Sequence, residues 1–330
     1  MKEYMANIRT DLALEAREMY RQNASEKAEV PGVEVQKQGD KRISVTRVKI
    51  TSSQGEEAIG KPQGNYITIE VPELRKKDPD LQEQTCKALA QELGGVIQLN
   101  KETTILVVGL GNWNVTPDAL GPKVVSSLMV TRHLLEHVPK QIDEGVRAVC
   151  AIAPGVLGLT GIETSEIILG IVEKVKPDVV IAIDALASRK MDRISTTIQI
   201  ADTGISPGSG VGNKRKALSH QTLGIPVIAI GVPMVVDAAT MANDTIDLMV
   251  DEMLKQVEKE SAFYEMLRGM DKNEKYGMIQ EILSPYIGNL MVTPKEVDTI
   301  IDDVSKVIAN GINIVLHEGI GLEDVSKYVH

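Results

Sequence analysis

The chain has 330 residues, 43% of them hydrophobic, so it can bury a substantial core without staples. Its formal charge of −10 argues against a dedicated nucleic-acid binder, because neutralising phosphates needs clustered Lys and Arg. Cys86 and Cys150 lack C-x-x-C spacing, which suggests neither a disulfide framework nor a zinc site. The N-terminus has no apolar signal region, and there is no apolar run of about 18 residues to span a bilayer, so a soluble protein of a reducing compartment is expected.

With one Phe, one Trp and seven Tyr, the core must be built from Val, Ile, Leu, Ala and Met, which suits parallel strands buried on both faces. The run from Asp11 to Tyr20 carries apolar groups at helical spacing. Residues 42–50 and 66–71 alternate and read as strands, and the turn-rich stretch between them suggests a hairpin or small antiparallel patch. Residues 80–94 read as a helix. An apolar strand over 103–109 leads into the loop 109–119, and a helix is expected from Leu120 to Glu136. Further strands follow at 147–153, 178–183 (ending at Asp184), 196–201 and 226–231, with a helix at 164–175 between them. Strands alternating with helices give βαβ units and a mostly parallel sheet, with a ligand crevice beyond the carboxyl ends of the strands. Residues 237–262 read as a helix and 269–275 as an exposed loop. Thr293-Pro294-Lys295-Glu296 looks like the capped start of a last helix reaching Leu316.

Several motifs could carry chemistry. Gly109-Leu110-Gly111-Asn112 follows a strand but lacks the third glycine of a dinucleotide fingerprint, so a tight loop is the better reading. The loop Gly208 to Arg215 resembles a phosphate cradle without the G-K-[ST] that would define one. Asp202-Thr203-Gly204 matches the tripeptide of all-β aspartic proteases, but this chain is α/β with a single copy, so Asp202 reads as a loop or capping residue. His133 and His137 stand four apart on a predicted helix without the H-E-x-x-H pattern, and surface or satisfied histidines are expected. Cys150, in an apolar run, reads as a buried inert thiol. Asp118 and Asp184 both fall on the carboxyl side of predicted parallel strands and could face one crevice. Two carboxyls with little water can split roles, one ionised to activate water and one protonated to polarise a carbonyl. The competing reading is two solitary loop or capping aspartates.

The segments VVGLGNWNVTPDALGPKVV, APGVLGLTGIETSEII, PDVVIAIDALASRK, IQIADTGISPGSGVGNKRKALS and LGIPVIAIGVPMVVDA, with the tail NLMVTPKEVDTIIDD, resemble the spore germination protease family in the same order along nearly the whole chain. The resemblance implies an α/β fold related to hydrogenase-maturation endopeptidases, with a mostly parallel central sheet flanked by helices and an antiparallel excursion around 40–72. It implies a cytoplasmic, spore-core endopeptidase that degrades small acid-soluble spore proteins during germination. It further implies a homotetramer and an aspartic mechanism without a cofactor, with no direct nucleic-acid or membrane partner. The family's catalytic aspartates carry over to Asp118, in TPDALGP, and Asp184, in IAIDALASR. In the maturation relatives the corresponding acidic positions hold a metal, so a metal-dependent peptidase is one alternative. A non-catalytic phosphate-binding α/β protein is another. Family members are made as zymogens, and Arg9 to Glu15 resembles the family's substrate pattern. Cleavage is therefore expected between Asp11 and Leu12, giving a propeptide over 1–11 and a single peptidase domain over 12–330.

Overall fold

The computed structural model describes residues 10–23, 30–208, 215–258, 261–269, 275, 277–279, 281–283, 290–319 and 321. Helix α1 (Ala13–Asn23) precedes an antiparallel pair, β1 (Val33–Gly39) and β2 (Ser44–Ile50). A short helix, α2 (Ser53–Ile59), leads to β3 (Gly64–Glu70), and α3 (Pro79–Val96) to β4 (Thr104–Gly109). Then come α4 (Leu120–Ser126), α5 (Arg132–His137), β5 (Ala148–Ile152), α6 (Thr164–Val175), β6 (Val179–Ser188), β7 (Thr197–Ala201) and β8 (Val227–Asp237). The last named elements are α7 (Ala238–Gln256), α8 (Ala262–Arg268), β9 (Met291–Val292) and α9 (Val297–Leu316). Among the described residues the strands form one nine-stranded sheet in the order β1-β2-β3-β7-β8-β6-β4-β5, with β9 on β8.

The α/β architecture is as the sequence suggests. Strands β8, β6, β4 and β5 are parallel neighbours and form one half of the sheet, with β5 at its edge. The antiparallel part is longer than a small patch: β7 runs antiparallel to β8, and β3, β2 and β1 continue from it in the same sheet. Successive residues of the central strands point to opposite faces, and both faces are covered. Ile105, Val107, Ile181 and Ile183 pack under α3 and α9, while Leu106, Val108, Val180 and Ala182 pack under α6. Each buried Val, Leu or Ile among them contributes about 1.5–3 kcal/mol relative to exposure. No helix among the described residues is long and apolar enough to cross a membrane.

The structure departs from the local pattern in several places, although β2 and β3 pair antiparallel as expected. The helix expected over Leu120–Glu136 is two helices, because the chain between them bonds elsewhere. The Met129 N–H donates to Asn313 Oδ1 at 3.1 Å and the Thr131 N–H to the Val149 carbonyl at 3.0 Å. The last helix begins at Val297 rather than at Thr293-Pro294, since the Thr293 hydroxyl donates to the Met234 carbonyl at 2.9 Å instead of capping. The turn-rich stretch after β2 holds α2, capped by the Ser52 hydroxyl and closed by Gly60 at φ +73°. Of the expected loop 269–275 only Gly269 and Lys275 are described, and Lys275 is buried in an ion pair with Asp247.

The β4–α4 connection is packed backbone to backbone. A Cβ on Gly121 would meet Leu110 N at 2.4 Å, Leu110 O at 2.3 Å and Ile183 O at 2.6 Å, so no side chain fits there. Gly121→Ala is expected to destabilise the protein by about 1–3 kcal/mol, read as a lower urea midpoint. Gly170→Ala, on α6 with nothing within 4 Å of its Cβ, is the control and should be neutral or stabilising by up to about 1 kcal/mol.

Candidate functional site

Strand β4 pairs with β6 only as far as Gly109 opposite Ile183, and Leu110 N–H closes the pairing on the Ile183 carbonyl at 2.7 Å. Beyond that point β4 leaves the sheet, while β6 continues beside β8 from Asp184 opposite Gly231 to Ser188 opposite Val236. Asp184 is thus the first residue of β6 past β4. It does not end its strand, as the sequence suggested; four more residues of β6 follow, with one edge open.

The loop leaving β4 folds back to bring Asp118 to the same place. Gly111 adopts φ +112°, and a Cβ there would lie 1.9 Å from the Asp118 carbonyl oxygen, so only glycine allows the approach. The Asn112 N–H donates to Asp118 Oδ2 at 2.7 Å. The Gly-Leu-Gly-Asn loop is therefore the cradle of Asp118, a role its sequence did not signal. Asp118 itself closes a 3₁₀ turn, Thr116–Asp118, just before α4.

Asp118 and Asp184 line one cavity of about 1020 Å³, together with Asp11, Lys61, Gln199 and His220. Asp184 is buried, at 6% exposure. Burial raises its pKa well above the usual aspartate range, and the charges of Asp118 and Asp11 raise it further, against one N–H bond from Ala185. Burial also raises the pKa of the half-buried Asp118, opposed by the Asn112 N–H. Burial lowers the pKa of Lys61, with Asp11 and Glu15 opposing it.

The chain's own N-terminal segment borders this cleft through Asp11. On the open edge of β6, the Asp11 N–H donates to the Ala187 carbonyl at 3.0 Å, and the Ala187 N–H donates to Asp11 Oδ2 at 2.9 Å. Gln199, on β7, brackets the next peptide. Its Nε2 donates to the Asp11 carbonyl at 3.1 Å, and its Oε1 accepts the Ala13 N–H at 2.8 Å. Leu12 and Ala13 are fully buried. Glu15 is buried as well; its carboxylate accepts the N–H groups of Arg189 and Lys190 at 2.6 and 3.0 Å and pairs with Arg193 at 3.3 Å. Arg193 also holds Glu18 at 2.6 Å and Glu70 at 3.1 Å. The sequence pointed to Asp11, Asp118 and Asp184; it missed Gln199 and Arg193, which lie in a strand and a turn without a motif.

Of the other candidates, Asp202 lines the same cavity, with its carboxylate taken up by Asn65. Asp202 accepts Asn65 N and Nδ2 at 2.8 and 2.6 Å and clamps β3 to the loop after β7, as a loop residue should. His133 and His137 are exposed on α5. Cys86 is buried and its thiol pKa is pushed up to about 12 by burial; Cys150 is half-buried, not buried as expected. The loop over 209–214 lies outside the described residues. Although His220 shares the cavity, no three His, Cys, Asp or Glu among the described residues come together as a metal-holding group.

A family model described as germination protease matches residues 13–261 and 249–329. The germination protease of Clostridium tetani is 54% identical over 98% of this chain and 100% of its own length. That of Caldanaerobacter subterraneus is 56% identical over 98% of both chains, and that of Bacillus velezensis 48% identical over 98% of this chain and 97% of its own.

The raised pKa of Asp184 has a cost in stability. Between the ordinary value of 3.8 and the raised native value, the native state holds a proton that the unfolded state has lost, so stability falls as pH rises through that window. Asp184→Asn removes the titration. Its urea midpoint is expected to exceed that of the wild type at pH 7, with the advantage shrinking as pH falls to about 4, where the unfolded aspartate is itself half protonated.

Proposed function

The chain belongs to the germination protease family, and from that premise we propose that it is a self-maturing aspartic endopeptidase whose first substrate is its own Asp11–Leu12 bond. The carrying observation is that Asp11 lines the same cavity as Asp118 and Asp184 with its carbonyl on Gln199, while Glu15 and Glu18 anchor the helix that follows on Arg193. A carboxylate can take a proton from water as it attacks the Asp11 carbonyl carbon, while the partner carboxyl, kept protonated by burial and by its neighbour's charge, supplies a proton to the departing Leu12 nitrogen. Raised pKa values suit a pair that must hold one proton. The propeptide is residues 1–11, and the peptidase unit is 12–330. Small acid-soluble spore proteins in the spore core are the later substrates, met by a homotetramer; these finer points rest on the resemblance to the family. The presence of His220 in the cavity favours one rival, a metal-assisted peptidase, enough to test it directly.

Autoprocessing followed by intact mass separates the readings. The wild type is expected to lose residues 1–11 despite a chelator, while Asp118→Asn and Asp184→Asn slow the reaction by about a hundredfold or more. Loss of processing on chelation gives the site to a metal, and an Asn variant that matures normally removes that aspartate from the chemistry. Because the segment lies in its own chain's cleft, the rate constant should not change with protein concentration. The rate should fall as pH rises from 5 to 8, since the shared proton is lost through the raised pKa; a flat profile contradicts the shared-proton mechanism.

A further inference from the structure

We propose that Gln199 is a catalytic residue: its side-chain N–H is the donor that stabilises the oxyanion formed on the carbonyl of the scissile bond. The inference rests on the reading that the Asp11–Leu12 bond is the one cut. Gln199 Nε2 lies 3.1 Å from the Asp11 carbonyl oxygen, the atom that gains charge when water adds to that carbon. Amide orientation is often ambiguous, but here it is fixed by a neighbour: the Ala13 N–H at 2.8 Å can only be met by Oε1, which leaves Nε2 for the carbonyl. The side chain is itself held in place, 8% exposed on the buried strand β7, with both ends of its amide engaged. A donor already held in place by both ends of its amide needs no rearrangement as charge develops.

The step balances without any added reagent. Water adds to the Asp11 carbonyl carbon and gives one proton to a carboxylate of the pair. The C=O electrons move onto oxygen, where the Gln199 N–H stabilises them. Collapse of this adduct breaks the C–N bond as the other carboxyl protonates the Leu12 nitrogen, leaving a carboxyl terminus on Asp11 and an amino terminus on Leu12. A protonated carboxyl can polarise a carbonyl too, but with Gln199 present neither carboxyl of the pair is needed for that role.

Two variants separate a donor from a tether. Gln199→Glu keeps an oxygen for the Ala13 N–H but, when ionised, has no proton for the Asp11 carbonyl; Gln199→Met removes both contacts. Processing of the full chain at pH 7 is expected to slow by about a hundredfold in each variant. Gln199→Glu should regain rate, relative to wild type, as pH falls and the new carboxyl protonates, while Gln199→Met should not. Hydrogen exchange at Leu12–Ala16, measured with Asp184→Asn added to stop cleavage, should stay protected in Gln199→Glu. Near-wild-type processing by Gln199→Glu at pH 7, or loss of that protection with no recovery at low pH, overturns the assignment and leaves Gln199 a tether. A second readout uses processed enzyme and a synthetic peptide of residues 6–23, with a lowered kcat at unchanged KM supporting the donor and a raised KM at unchanged kcat opposing it. If the wild type neither matures nor cuts the peptide, the protease reading of this bond falls, and the Gln199 assignment with it.

Discussion

The close approach of the β4–α4 connection to β6 is the constraint on which the rest depends. Leu110 N–H meets the Ile183 carbonyl at 2.7 Å, and Gly121 packs against both residues with no room for a Cβ. That contact ends the pairing of β4 at a defined residue. It opens the β6 edge from Asp184 onward, and it returns the chain through Gly111 so that Asp118 comes back to the same cavity. One backbone contact therefore fixes both carboxyls and the edge on which the N-terminal segment docks.

A buried and a half-buried carboxyl side by side oppose stability, so the remainder of the fold must offset them. The doubly covered parallel strands and the long apolar face of α9 do so. The ionic cluster around Arg193 is a poor source of net stability, because desolvating an Arg and three carboxylates cancels much of their attraction. What such a cluster supplies is position. Glu15 can satisfy the N–H groups of Arg189 and Lys190 in one register only, and a shift by one residue would leave a buried carboxylate unpaired. The acid at position 15 thus sets which peptide faces Gln199.

The central strands were legible because β4, β6 and β8 are continuous apolar runs with a helix-forming segment between them. Asp118 and Asp184 were legible because each interrupts such a run or follows it closely. What escaped notice depends on contacts between residues far apart in the chain. Gln199 sits in a strand whose pattern gives no hint of a polar task, and its partner Asp11 is 188 residues away. Gly111 read as part of a tight loop, but glycine marks close backbone approach without saying what approaches. The break after α4 follows from Asn313, 184 residues from Met129, which no local propensity could reveal.

The arrangement has a consequence for turnover. If the bond after Asp11 is cut, residues 1–11 lose their covalent hold, but α1 keeps its own: Leu12 and Ala13 are buried, Glu15 is held by two N–H groups and Arg193, and Glu18 by Arg193 and Lys190. The new amino terminus at Leu12 would also be cationic, close to a pair that repels a third carboxylate but attracts an ammonium. Cleavage alone therefore leaves the half of the groove beyond the scissile bond filled, with an added attraction at its end. Access for a second substrate then requires α1 to withdraw, breaking the Arg193 cluster and exposing Leu12 and Ala13. That withdrawal is a step a fresh chain must pass before its bond can reach the pair, as in enzymes whose sites are gated by a conformational step.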